Sequence, residues 1–196
     1  AGHSSRIRQE VSAIHEASRL VLWLEEKMNQ LADQSSDARF NPPHTSIHVG
    51  TISGGIAPNV IADRCSFKWD IRCIPQDSIP EILEEFEAHC RGREEQLKNI
   101  FPGFVIETVN NHPEVPALDT KEDQDIAQLI KELTEADQFD TVSYAAEAGQ
   151  FEEGGFPAII CGPGDIAQAH RANEFVSKLQ LKRGVGLIEK LILKFS

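Results

Sequence analysis

The residues best suited to chemistry lie in a loop-like segment near the end of the chain, residues 162–174, with the sequence GPGDIAQAHRANE. An apolar run, 157–161, leads into it, and open α/β sheets place ligands where strands end in such loops. His170 lies there beside small residues, and a neutral imidazole is a common zinc ligand. Glu174 could orient the ring. Spacing alone favours a surface histidine without a role.

Four other segments contain side chains that could bind or polarise a substrate. They are GHSS with His3, GGIAPNVIA with Asn59, DIR with Arg72, and YAAEAGQF with Glu147. Simpler explanations exist for three of them. His3 could be a surface histidine at a strand end, and turn chemistry alone accounts for Asn59. Arg72 shares a strand face with Asp70, so a solvent-facing ion pair is an alternative.

Taken in order, these five segments resemble the acetylornithine deacetylase and succinyl-diaminopimelate desuccinylase family of co-catalytic zinc amidohydrolases. They extend over almost the whole chain, and the Gln-Ala-His form of the last segment is nearest to acetylornithine deacetylase. The resemblance implies an enzyme that deacylates N-acyl amino acids, N-acetylornithine above all. It also implies a pair of zinc ions, for which cobalt can substitute, and a homodimer.

The resemblance gives each of the five residues an expected role. His170 would be a zinc ligand, and Glu147 would lie in the catalytic loop near the metal centre. His3 would reach into the partner subunit's active site and donate a hydrogen bond to the oxyanion of the tetrahedral intermediate. Arg72 would hold the substrate carboxylate, to which a guanidinium is well shaped, and Asn59 would contact the substrate.

The family's other metal ligands have no counterpart in this chain. Members are much longer, and their N-terminal half carries a His-x-Asp pair, a bridging Asp and a Glu-Glu pair with the general base. The nearest substitute, at 112–114, lies in a proline-rich turn, and the Glu-Glu pairs fall on helical patterns or at a helix end. We therefore expect a fragment that is inactive alone. The alternative is a non-catalytic dimerisation or interaction module of the same fold.

Hydrophobic periodicity predicts an α+β fold in two domains. Residues 1–113 would form a ferredoxin-like sandwich of order β-α-β-β-α-β. The resemblance implies that this is the lid and dimerisation domain. The resemblance implies that residues 114–196 are the C-terminal part of an α/β zinc-peptidase-like catalytic domain, which would have an exposed apolar face. The predicted helices are 9–32, 78–97, 122–136 and 177–193, and the predicted strands are one closed by His3, then 45–53, 60–74, 104–109, 141–144 and 157–161.

Composition restricts the classes of partner. The net charge of −12 argues against nucleic acid and anionic membrane, since both are bound by clustered Lys and Arg. No apolar run approaches the length of a membrane span. The four cysteines show no C-x-x-C spacing, so we expect buried thiols and a cytoplasmic location.

Overall fold

The computed structural model describes residues 2–196. The chain divides into two compact units. The first extends to Ala117 and also includes Val142–Ala145, and the second comprises Leu118–Thr141 and Ala146–Ser196. The predicted domain division between residues 113 and 114 stays a prediction.

Two long helices organise the first unit. Helix α1 spans Ala13–Gln34 and follows Ser12, whose hydroxyl accepts a hydrogen bond from the His15 amide at 3.5 Å. Helix α2 spans Ile79–Lys98 and has proline in its first turn, where the missing N–H leaves no bond unmade. The predictions at 9–32 and 78–97 are confirmed, apart from a start of α1 that was placed too early.

The sheet of the first unit is an antiparallel pair. Strand β1, Ser46–Gly54, pairs with β2, Cys65–Arg72, in a register that runs from Ser46 opposite Arg72 to Gly54 opposite Cys65. The side chains of β2 alternate as predicted, with half-buried residues facing the helices and exposed residues facing solvent. The core between helices and sheet contains Leu20, Leu24, Leu31, Ile47, Ile82, Phe86 and Cys90.

Three predicted strands, 104–109, 141–144 and 157–161, are wrong, since the described residues there form no strand. Side chains supply hydrogen bonds at each of these segments. The Ile106 amide donates to a Glu94 carboxylate oxygen at 3.0 Å, and the Ala158 carbonyl accepts a bond from the Thr120 hydroxyl. The run 157–161 is also not buried, because Ile160 is 38% exposed.

The α+β class is therefore confirmed, and the ferredoxin-like arrangement stays a prediction. A four-stranded sheet would need two further ladders beside β1 and β2, and the described residues contain one two-stranded sheet. The predicted strand closed by His3 is represented by a single isolated antiparallel bridge to Val60.

The second unit contains three helices: α3 at Asp125–Thr134, α4 at Ala148–Glu153 and α5 at Lys178–Phe195. The predictions at 122–136 and 177–193 are confirmed within a few residues. Helix α5 follows Ser177, whose hydroxyl accepts the Gln180 amide at 3.1 Å. No residue of α5 is buried, and its exposed apolar side chains include Leu179, Val185, Ile188 and Ile192. The expected exposed apolar face is thus present. Among the described residues, no helix combines the length and the apolar composition needed to cross a membrane.

Candidate functional site

Backbone pairing brings His3 and Asn59 together. The Ser4 amide donates to the Asn59 carbonyl at 3.0 Å, and the Ile61 amide donates to the Gly2 carbonyl at 2.7 Å. His3 is thereby set opposite Val60, the neighbour of Asn59. Two of the five predicted site residues, far apart in the sequence, therefore share one location.

The His3 ring has a defined hydrogen-bonding role at one nitrogen. Its Nδ1 accepts the Ser5 amide at 3.3 Å and lies 2.8 Å from the Ser5 hydroxyl oxygen. A ring nitrogen that accepts an amide proton carries no proton itself, so the neutral imidazole is protonated at Nε2. His3 is exposed, and its Nε2 is thus a donor at the surface of the unit.

Arg72 lies at the last position of β2, and its side chain is 53% exposed. Its Nε donates to an Asp70 carboxylate oxygen at 3.0 Å. The ion pair with Asp70, which is the alternative interpretation of Arg72 from sequence, is therefore present. Its Nη1 donates to the Ser143 carbonyl at 3.3 Å, and the Ser143 hydroxyl donates to the Asn41 carbonyl at 2.8 Å. Sequence reasoning missed Ser143, because nothing local links it to a residue 71 positions earlier.

Arg72 is far from the pair formed by His3 and Asn59. Strand β2 has eight residues, so its two ends are roughly 23 Å apart. The contacts at the two ends of helix α1 lead to the same conclusion. The amide at its start, Ala13, donates to the Ala62 carbonyl at 2.9 Å, whereas Ser35 beyond its end donates to Asp77 at 2.7 Å. Since 22 residues of helix extend about 33 Å, the neighbourhoods of Ala62 and Asp77 are at opposite ends of the unit.

A buried polar cluster lies at the Arg72 end of the unit. Thr45 has no exposed surface, donates to Asp77 and accepts the Ile74 amide at 3.1 Å. Asp37, also buried, accepts hydrogen bonds from Arg39 and Gln76, and these hold the pKa of its carboxyl far below the usual range, the Arg39 bonds having the larger effect. The mutual pairing of these groups indicates a structural cluster.

His170 and Glu147 both belong to the second unit, and both are exposed. His170 follows a short 3₁₀ helix, Ile166–Gln168, and has a left-handed backbone with φ of 61°. Its backbone amide donates to a Glu174 carboxylate oxygen at 3.2 Å. The predicted contact of Glu174 with the imidazole ring is replaced by this contact with the backbone. Glu147 immediately precedes α4, and its carbonyl accepts the Gln150 amide at 3.0 Å.

The described residues do not complete a metal site. Residues 2–196 contain no group of three or more His, Cys, Asp or Glu side chains gathered as metal ligands. A zinc ion takes three or four protein ligands, and His170 offers one imidazole. The donor set present is therefore too small for the implied zinc ions, which would need ligands from outside these residues.

Residues 1–98 match the profile of a family described as the peptidase dimerisation domain. The chain belongs to this family. The matched residues include β1, β2, both long helices and three of the predicted site residues, His3, Asn59 and Arg72.

Relatives named as deacetylases are similar to the whole chain. An acetylornithine deacetylase of Myxococcus xanthus is 32% identical over 99% of this chain and 50% of its own length. One of Pasteurella multocida is 30% identical over 100% of this chain and 49% of its own length. An N-acetyl-L-citrulline deacetylase of Xanthomonas campestris pv. campestris is 28% identical over 98% of this chain and 50% of its own length. The chain spans about half the length of the curated relatives it matches, and the resemblance to the acetylornithine deacetylase family is confirmed.

Proposed function

We propose that the complete protein to which this chain corresponds is a metal-dependent amidohydrolase that removes the acyl group from N-acyl amino acids, with N-acetylornithine as its first candidate substrate. The observation that carries this proposal is the similarity to acetylornithine deacetylases over 99–100% of the chain. The match to a peptidase dimerisation domain means that the complete protein would contain its dimerisation domain and its hydrolytic site in one polypeptide.

His3 is proposed as the donor to the oxyanion, with Asn59 beside it as a substrate contact. Support comes from the backbone pairing of the two segments and from the Nε2 proton of His3. A donor that is already oriented stabilises charge as it develops on the substrate oxygen, because no reorganisation is needed at that moment. The exposed Nε2 donor suits an oxyanion presented from another surface.

Arg72 is proposed to bind the substrate carboxylate in the active site of its own subunit. His3 of the same subunit would serve the active site of the partner. N-acetylornithine is no longer than about three extended residues, roughly 10 Å, whereas β2 alone separates the two ends of the sheet by about twice that distance. One bound substrate cannot reach both ends in a single subunit. A homodimer in which His3 of one subunit completes the partner's site removes this difficulty.

His170 is proposed as one zinc ligand, and Glu147 as an acidic residue of the catalytic loop. Their support is the resemblance of the two segments that contain them, together with the position of both residues at the surface of the second unit. The proposed cofactor is a pair of zinc ions, or cobalt. Because the described residues supply too few ligands, the 196-residue chain alone should bind zinc weakly and hydrolyse no substrate measurably.

The amino acid that the substrate contains can be tested with two compounds that differ in the charge of the side chain. N-acetylornithine and N-acetyl-L-citrulline share the carboxylate and the acetamide, and differ in whether the end of the side chain is cationic or neutral. We propose to assay the complete protein with both compounds, after metal removal and again after addition of zinc or cobalt. Metal-dependent release of acetate is expected, with N-acetylornithine preferred. Failure to hydrolyse either compound in the metal-loaded protein would refute the proposal.

A second candidate function is a non-catalytic dimerisation module, which the family match over residues 1–98 favours. Both candidate functions predict a homodimer, and sedimentation of the chain tests this shared prediction. A chain that stays monomeric across the micromolar range would contradict it. The candidates differ at His170, because His170→Ala should abolish hydrolysis by the complete enzyme without dissociating the dimer. A cytoplasmic location stays a prediction.

A further inference from the structure

The loop that contains His170 has two non-glycine residues in the left-handed region of backbone space. The φ of His170 is 61° and that of Asn173 is 62°. In this region the Cβ atom approaches the following carbonyl oxygen, so residues other than glycine adopt it infrequently. Asparagine and histidine are among the non-glycine residues that adopt it most often, but at His170 the conformation still depends on support from the rest of the loop.

Hydrogen bonds along the loop supply that support. The Asp165 carboxylate accepts the Ala167 amide at 2.8 Å and caps the short 3₁₀ helix before His170. After it, the Glu174 amide donates to the Arg171 carbonyl at 3.3 Å. The Glu174 side chain then turns back, and its carboxylate accepts the His170 amide at 3.2 Å. The carboxylate thus closes a ring of backbone from His170 to Glu174.

We infer that Glu174 is the positioning residue of His170, and that its carboxylate holds the left-handed backbone from which the imidazole projects. A change of φ from 61° to an extended value would rotate the Cα–Cβ bond relative to the preceding chain. The imidazole would then leave the direction in which the loop presents it. A hydrogen bond from an amide to a carboxylate is stronger than one between neutral groups, which suits it to this task.

The importance of this device for hydrolysis rests on the proposed function, in which the His170 imidazole has to point at a fixed position. The bond itself does not depend on that function. Two measurements therefore separate the inference from the proposed function, one on the backbone of the chain and one on the kinetics of the complete protein.

The first measurement is amide hydrogen exchange at His170 in the 196-residue chain, followed by NMR. Glu174→Ala should accelerate exchange of this amide by about 10-fold, because the charged acceptor is lost. Glu174→Gln keeps an acceptor oxygen and should lie nearer to the wild type. Glu189→Ala, which removes the same charge from an exposed position of α5, is the matched control and should leave the amide unchanged.

The second measurement uses the complete protein with N-acetylornithine. Glu174→Ala should lower kcat/KM by about 10-fold or more, and Glu174→Gln should restore most of the loss. Unchanged exchange at His170 in Glu174→Ala would overturn the inference, whatever the activity. Accelerated exchange with wild-type kcat/KM would overturn the positioning role. If the exchange pattern is as expected and the wild-type protein hydrolyses no N-acyl amino acid, the proposed function fails and the backbone role of Glu174 stands.

Discussion

Two variants of the complete enzyme that are each defective at low substrate concentration should restore activity to each other when they form mixed dimers. The variants are His3→Ala and Arg72→Ala, which alter residues at opposite ends of the first unit. If a site combines Arg72 of one subunit with His3 of its partner, a mixed dimer contains one site with both residues intact and one site with neither. Random reassociation of equal amounts yields about half mixed dimers, so about a quarter of all sites in the mixture, or about half of the sites in purified mixed dimers, should be active.

The single variants must first show different kinetic defects. His3→Ala removes a donor used in the transition state, so kcat should fall by roughly 100- to 1,000-fold with little change in KM. Arg72→Ala removes a contact to the substrate carboxylate that exists before and during the reaction, so KM should rise most. Measurement at N-acetylornithine concentrations well below the KM of Arg72→Ala, with differently tagged subunits, then gives the activity of purified mixed dimers, because both single variants are defective under these conditions. Each homodimer variant, treated in the same way, is the control.

The complementation result can contradict the distance argument directly. If both residues acted in one site of the same subunit, every site of a mixed dimer would lack one of them. No activity would be restored, although the dimer had formed. Absence of restored activity in confirmed mixed dimers would therefore refute the division of His3 and Arg72 between subunits.

Stability and its pH dependence provide two further predictions. Leu24→Ala should lower the free energy of unfolding by about 2–5 kcal/mol in denaturant titrations, because Leu24 is 1% exposed, whereas Leu22→Ala at a 61% exposed position of the same helix should change it by less than about 0.5 kcal/mol. Because the pKa of Asp37 is lower in the folded chain than the ordinary carboxyl value of about 4, ionisation of Asp37 stabilises the folded chain above that pH. This contribution should be lost as the pH falls from about 4 towards the lower pKa of the folded chain. Asp37→Asn should flatten that part of the stability profile, and an unchanged profile would contradict the assignment.

The helices could be predicted from sequence because their determinants are local. A serine hydroxyl caps the start of each of the three long helices, and the apolar stripe that follows repeats with the helical period. The alternation along β2 is local in the same sense, since it depends only on which face of a strand each residue occupies. The sequence motifs likewise identified the family, because the five segments occur in the same order as in that family.

Sequence could not predict which hydrogen-bonding partners the segments outside these elements would take. The apolar run 157–161 has the composition of a strand, but a strand requires a neighbour, and the Thr120 hydroxyl bonds the Ala158 carbonyl instead. Glu174, four residues after His170, could have contacted the ring or the backbone, and its carboxylate accepts the backbone amide of the left-handed His170.

The sequence by itself determined the family, the positions of the helices and the identity of the residues able to do chemistry. Tertiary structure decided which of those residues lie together, because long-range backbone pairing depends on the whole path of the chain. It joined His3 to Asn59 through the bridge at Val60 and set Arg72 at the far end of strand β2. The separation follows from the rise of an extended strand, which no motif spacing encodes.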